Sequence, residues 1–262
     1  MRPLALITGG QQGIGLGIAQ ALAGQGFRLA IASLPPTDDP TVRDALATLG
    51  PGARYYRHDL ADLTAIPALL EAIEATQGPL DALIQNAGVA AKVRGDMLDL
   101  TPENLDWIMG INLSGAFFLA QQVAKHMLAT TSPHYRSITF VTSVSARMAS
   151  PERADYCISK AAASMAAQTL ALRLAPHDIG VFELRPGIIE TGMTAGVKDK
   201  YTARIAEGLV PAGRWGHPAD IGQAVIPLVT GQMAFATGAV IPVDGGLLFG
   251  VGFAWLVTRG VT

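Results

Sequence analysis

The run Thr8-Gly9-Gly10-Gln11-Gln12-Gly13-Ile14-Gly15 constrains this chain more than any other stretch of it. It follows the apolar run Leu4 to Thr8 and opens into a helical pattern from about Ile14 to Gln25, so it joins a strand tightly to a helix. Glycines permit the sharp turn and let a ligand approach the backbone closely. The helix start adds unpaired amides and the positive end of the helix dipole, a setting that favours an anion. Gly9, Gln11, Gln12, Gly13, Ile14 and Gly15 are therefore candidates for holding the pyrophosphate of a dinucleotide. The spacing is G-x-x-x-G-x-G rather than G-x-G-x-x-G, and no lysine follows as a nucleoside-triphosphate loop would require.

The rest of the chain repeats that unit. Further short apolar runs are predicted at Arg28 to Ser33, Arg54 to His58, Leu80 to Gln85, Ser137 to Thr142, Gly180 to Leu184 and Ala239 to Val243. Helices are predicted between them, including one long helix from Pro102 to Leu128 and another from Ala154 to Leu174. Runs such as Leu80 to Ile84 are nearly continuous in apolar residues, as strands covered on both faces are. The expectation is a doubly wound α/β fold, a parallel sheet of about seven strands with helices on both faces, as a single domain over 1–262. The stretch 192–213 reads either as a lid over a site or as an ordinary surface loop.

Composition narrows the function. Hydrophobic residues make up 50% of the chain and charged residues 15%, which suits a large buried core. A net charge of −2 gives no basic excess for nucleic acid. The lone Cys157 fits a reducing, cytoplasmic setting and reads as a packed small side chain. The first ten residues are too short an apolar run for a signal peptide, and Gly245 to Val257 is too short to span a bilayer. That tail reads as a buried segment or a subunit contact. His126, His134, His177 and His217 have no ligand spacing, so no metal site is expected.

Tyr156 and Lys160 stand four residues apart in a predicted helix, hence on one face. An ammonium beside a phenol would favour the phenolate and pull its pKa down, suiting Tyr156 to proton exchange with a ketone or alcohol. Ser143 ends one strand and Asn86-Ala87-Gly88 ends another, both at the sheet edge where such folds bind ligands.

Taken together, these residues resemble the short-chain dehydrogenase/reductase family, and the likeness runs through nearly the whole chain. Thr8 to Gly15 resembles its cofactor turn, Asn86 to Gly88 its Asn-Ala-Gly motif, and Asn112, Ser143, Tyr156 and Lys160 its catalytic set. Pro186, Gly187, Ile189 and Thr191 resemble the segment that receives the nicotinamide, and Asp244-Gly245-Gly246 the family's C-terminal signature. Within the family the likeness is to 3-oxoacyl-[acyl-carrier-protein] reductases and relatives acting on other ketones.

The resemblance implies a Rossmann-type fold and hydride transfer between nicotinamide C4 and a ketone or secondary alcohol, free or carrier-bound. It also implies a homotetramer built through the long helices and the C-terminal strand, with the apolar extension Leu247 to Val261 in the second contact. Ser143 would hold the carbonyl oxygen, Tyr156 would give it a proton, Lys160 would bind ribose, and Asn112 would hold a water. Asp59 and Leu60 resemble the residues at the adenine, although Asp59 reads equally as a helix cap. The second strand ends at Ala32-Ser33-Leu34 with no carboxylate for an unphosphorylated ribose, which favours NADP(H) over NAD(H) and makes Ser33 the candidate there. Arg147 and Arg153, in the loop Val144 to Asp155, would meet an anionic substrate or carrier, or else are solvated charges. The alternative class is a non-catalytic dinucleotide-binding sensor or scaffold.

Overall fold

In the computed structural model, which describes residues 2–250, β1 (Leu4–Thr8) turns alternate side chains to opposite faces. Leu4 and Leu6 enter one apolar cluster and Ala5 and Ile7 another. The same division runs through β2 (Arg28–Ser33), β4 (Ala82–Gln85), β5 (Arg136–Val141) and β6 (Ile179–Pro186). With β3 (Ala53–Arg57) and β7 (Val240–Val243) they form one seven-stranded parallel sheet in the order β3-β2-β1-β4-β5-β6-β7. The strand order reverses between β1 and β4, and such a reversal opens a crevice at the carboxyl ends of the strands.

The cluster holding Leu4 packs against α3 (Ile66–Gln77), α5 (Ala116–Ala129) and α6 (Ala154–Leu174). The cluster holding Ile7 packs against α1 (Gly13–Gly24) and α8 (Pro218–Val229), with Leu49 of α2 (Pro40–Leu49) at its margin. Helices α1 and α8 touch backbone to backbone: a Cβ on Gly17 would lie 2.5 Å from the Pro218 carbonyl oxygen, and one on Gly222 2.5 Å from that of Gly17. This is one α/β domain of Rossmann type, as expected.

The helix predicted over Pro102 to Leu128 is helical along its length, as α4 (Pro102–Met109) and α5 with a π-helical stretch over Gly110–Gly115 between them. Apolar periodicity continues through that stretch, so sequence alone does not reveal it. At its end the backbone packs closely: a Cβ on Gly115 would lie 2.0 Å from the Leu60 carbonyl oxygen. The stretch 192–213 is not a bare loop, because it carries α7 (Lys198–Ala206). Trp215 anchors α7 through a 3.1 Å bond to Thr202 Oγ1 and an edge-on contact with Tyr201. Most of the extension Leu247 to Val261 lies outside the described residues, as does the end of the tail Gly245 to Val257. Among the described residues no helix is long and apolar enough to cross a membrane.

Candidate active site

Two adjoining cavities open at the carboxyl edge of the sheet. One, of about 340 Å³, is walled by Gly9, Gln11, Gln12, Gly13, Ile14, Gly15, Ser33, Asn86, Ala87, Gly88, Tyr156, Lys160 and Thr191, all of them residues singled out by the sequence. The other, of about 320 Å³, takes Ser143, Tyr156, Pro186, Gly187, Ile189 and Thr191 from the same set. Tyr156, Ile14 and Thr191 belong to both walls.

The first cavity fits a dinucleotide. Gly9 and Gly13 have φ of +67° and +51°, a region that side chains disfavour. A Cβ on Gly15 would fall 2.1 Å from the Gly9 carbonyl oxygen. No side chain caps α1 and its first turn holds no acid, so its leading amides remain available to an anion. The buried Oε1 of Gln11 has no partner within the protein, which fits a cavity meant to receive a polar group. Thr8 pins this turn to its neighbour: its Oγ1 accepts 3.0 Å bonds from the amides of Asn86 and Ala87, while Asn86 Nδ2 donates to the Thr8 carbonyl at 2.9 Å.

Three predicted residues line neither cavity. Asn112, in the π-helical stretch, is buried with its amide committed: Oδ1 accepts from Val89 N at 2.8 Å, and Nδ2 donates to Val89 O and Ser159 Oγ, each at 3.0 Å. It thereby fixes the loop after Gly88. Asp59 accepts from Ala61 N at 2.9 Å within a turn, and the helix cap that was its alternative reading is made by Asp62 instead. Leu60 is buried, with its carbonyl against Gly115.

On α6 the four-residue spacing does put Tyr156 and Lys160 on one face, with Lys160 Nζ 5.8 Å from the phenol ring centre. Lys160 is buried, and its Nζ donates to the Val141 carbonyl at 3.3 Å. Burial lowers its pKa from 10.5 to about 8, opposed by the charge of Glu183. Burial raises the Tyr156 phenol above its ordinary value, against a hydrogen bond with Ser143 and the charge of Arg153. The expected lowering of that phenol is therefore reversed, because desolvation outweighs both favourable contacts. Cys157, beside it, is buried with its thiol toward the Met148 carbonyl.

Sequence reasoning missed a buried polar knot beneath Lys160. Glu183, 1% exposed, accepts from Thr142 Oγ1, from Ser164 Oγ at 2.6 Å and from Arg185 Nε at 2.7 Å. Its signal was present: two charges at alternate positions of an otherwise apolar strand point to the same face. At the far end, Asp244 accepts from the amides of Gly246 and Leu248 at 2.9 and 2.8 Å and packs against Gly187. The C-terminal signature thus closes the sheet behind the site.

An α/β fold with a nucleotide cradle at its switch point and a phenol beside a lysine defines a dinucleotide-dependent enzyme, and known proteins agree. A family model described as enoyl-(acyl carrier protein) reductase matches residues 9–248. The 3-oxoacyl-[acyl-carrier-protein] reductase MabA of Mycobacterium bovis is 33% identical over 94% of this chain and 92% of its own. The crystal structure of a 3-oxoacyl-[acyl-carrier protein] reductase from Brucella melitensis in complex with NAD is 49% identical, with a TM-score of 0.91 over 95% of this chain and 98% of its own. A putative 2-deoxy-D-gluconate 3-dehydrogenase from Agrobacterium tumefaciens with bound NADP is 29% identical, with a TM-score of 0.82 over 94% and 96%.

The chain belongs to the short-chain dehydrogenase/reductase family. It is an NAD(P)-dependent oxidoreductase acting on a ketone and secondary-alcohol pair, and nothing in these relationships favours the non-catalytic alternative.

Proposed function

We propose that the protein is a cytoplasmic ketoreductase that prefers NADP(H), with Ser143, Tyr156 and Lys160 as its catalytic residues and Asn112 as a positioning residue. The observation that carries this reading is the place of Tyr156 on the wall shared by the two cavities. A nicotinamide, when bound, supplies the hydride. Tyr156 then gives its proton to the carbonyl oxygen, which Ser143 holds by hydrogen bonding. Lys160 stabilises the phenolate left behind and, by the family pattern, binds the nicotinamide ribose, while Pro186, Gly187, Ile189 and Thr191 position the ring. Asn112 keeps the Gly88–Val89 turn in register through its amide.

The preference for NADP(H) rests on the missing carboxylate at Ser33-Leu34, and it gains support from Arg57, an exposed cation whose Nε donates to the Leu34 carbonyl at 3.3 Å. Asp59 and Leu60 are assigned to the adenine end on family likeness. The names of the Mycobacterium and Brucella relatives support a 3-oxoacyl thioester, carrier-bound or free, among the substrates. The stretch 192–213 serves as a substrate lid, since Met193, Val197, Tyr201, Arg204 and Leu209 all line the second cavity. A homotetramer is supported by Ile158, Met165 and Leu172, spaced seven apart on α6 and left exposed, as is Phe118 of α5.

Tyr156→Phe tests the catalytic assignment. Turnover of a ketone panel with NADPH should fall about 10²- to 10⁴-fold, with the dissociation constant for NADPH held within a few-fold. Unchanged turnover would remove Tyr156 from the reaction.

A further inference from the structure

The second cavity carries a concentration of charge beyond the Tyr156–Lys160 pair. Arg94, from the loop after Gly88, Arg153, at the start of α6, and Arg204, on α7, all line it. Among the described residues no carboxylate lines that wall, and none of these guanidinium groups takes part in an ion pair. Three arginines therefore line one space in a chain whose net charge is −2, Arg153 half-buried and Arg94 and Arg204 exposed. The rest of the wall is largely apolar, with Val144, Met148, Ile188, Leu209 and Leu247. An anion entering among the arginines gains favourable charge interactions, strongest with the half-buried Arg153.

We propose that the cavity takes a small ketone or secondary alcohol carrying a carboxylate, and that Arg94, Arg153 and Arg204 hold that carboxylate while Tyr156 faces the carbonyl. This inference rests on the reading of Tyr156 given above. Guanidinium suits the task because its planar donors meet a carboxylate in pairs. Arg153 lies 5.9 Å from the Tyr156 ring centre, which puts anion recognition next to the proton donor. Arg204 is on an anchored helix, through the contacts of Trp215 with Thr202 and Tyr201. The charges do not serve the cofactor phosphates, because none of the three arginines lines the first cavity, where the uncapped start of α1 would hold the pyrophosphate. A carrier-borne thioester fits less well. The phosphate of its pantetheine arm is at the end remote from the carbonyl, whereas these arginines line the same 320 Å³ as Tyr156.

The test pairs acetoacetate, levulinate and 5-oxohexanoate with their methyl esters, and adds the neutral acetoacetyl thioester of N-acetylcysteamine. For at least one pair, kcat/KM of the acid should exceed that of the ester by about 100-fold, and its KM should rise with ionic strength. Arg153→Gln and Arg204→Gln should bring that ratio toward one. Binding is read separately: glutarate, with NADPH present, should raise the melting temperature of the wild type and not of the Arg153→Gln/Arg204→Gln double variant. Esters or the neutral thioester turned over as well as the acids, with no shift from glutarate, would overturn the proposal while leaving Tyr156 in its role. Glutarate binding without turnover of any ketone would sustain the anion site and count against the catalytic reading instead.

Discussion

Lys160→Met should make this protein more stable at neutral pH. A lysine that titrates at about 8 rather than 10.5 pays for its charge in the folded state. At about 1.4 kcal/mol for each tenfold change in affinity for the proton, the penalty is roughly 3 kcal/mol at pH 7. Methionine fills a similar volume without that penalty and gives up the long 3.3 Å bond to the Val141 carbonyl, a loss of about 1 kcal/mol. The variant should therefore gain roughly 2 kcal/mol while losing turnover, the exchange expected where a catalytic group is held in an unfavourable setting.

The sign of the pH dependence separates this account from simple repacking. Below pH 8 both the folded and unfolded chains hold the lysine proton, so the penalty is present in full. Between 8 and 10.5 the folded chain releases it while the unfolded chain keeps it, so wild-type stability rises toward that of the variant. Tyr156, raised by burial, acts in the opposite sense only above its ordinary value of 10, so measurements stay below that. Urea unfolding followed by circular dichroism, at one fixed protein concentration because subunit association adds to apparent stability, gives the difference directly. The gap between variant and wild type should narrow by roughly 2 kcal/mol from pH 7 to 9.5. A gap that stays constant, whatever its sign, would refute a depressed Lys160.

Two further substitutions probe the supports of the site. Gly17→Ala places a Cβ 2.5 Å from the Pro218 carbonyl oxygen, where backbone cannot yield, so α1 and α8 must separate. Thermal unfolding should show a loss of about 1 to 3 kcal/mol, and NADPH affinity should fall as well because α1 carries the glycine turn. Glu183→Gln removes the counter-charge of Arg185, whose side chain is 13% exposed, and should cost about 2 to 4 kcal/mol by urea unfolding. It also removes the charge that holds Lys160 up, so the alkaline limb of kcat/KM should move to lower pH, an effect that a purely structural role would not produce.

Why some features were legible in the sequence and others were not follows from the range of the interactions. The strand at Leu4 to Thr8, the glycine turn and the Tyr156–Lys160 face are written in local periodicity, and the structure has each of them. The π-helical stretch at Gly110–Gly115 abuts Leu60, distant in sequence, a contact that local pattern does not report. Arg153 was visible as a loop charge beside the site, but its company with Arg94 and Arg204 depends on how three separate segments converge. Arg147, in the same loop, lines neither cavity, and nothing local distinguishes it from Arg153.

The reversed sign at Tyr156 is the most instructive difference, because residue identity and spacing do not report burial. Desolvation favours the uncharged form of phenol and ammonium alike, so it raises one pKa and lowers the other. A phenol kept neutral still has its proton to give, which is what reduction of a carbonyl asks of Tyr156 in its proposed role. The charges of Lys160 and Arg153 have little to stabilise while the ring is neutral. As the proton leaves and negative charge develops on the phenol oxygen, both cations gain a partner in a poorly solvated site where charge interactions are strong. Stabilisation that grows along the reaction lowers the barrier, whereas a phenolate formed beforehand would spend the same attraction in the resting enzyme. A raised resting pKa at Tyr156 is thus compatible with efficient proton donation, provided the neighbouring lysine remains largely charged, as a value of about 8 allows at neutral pH.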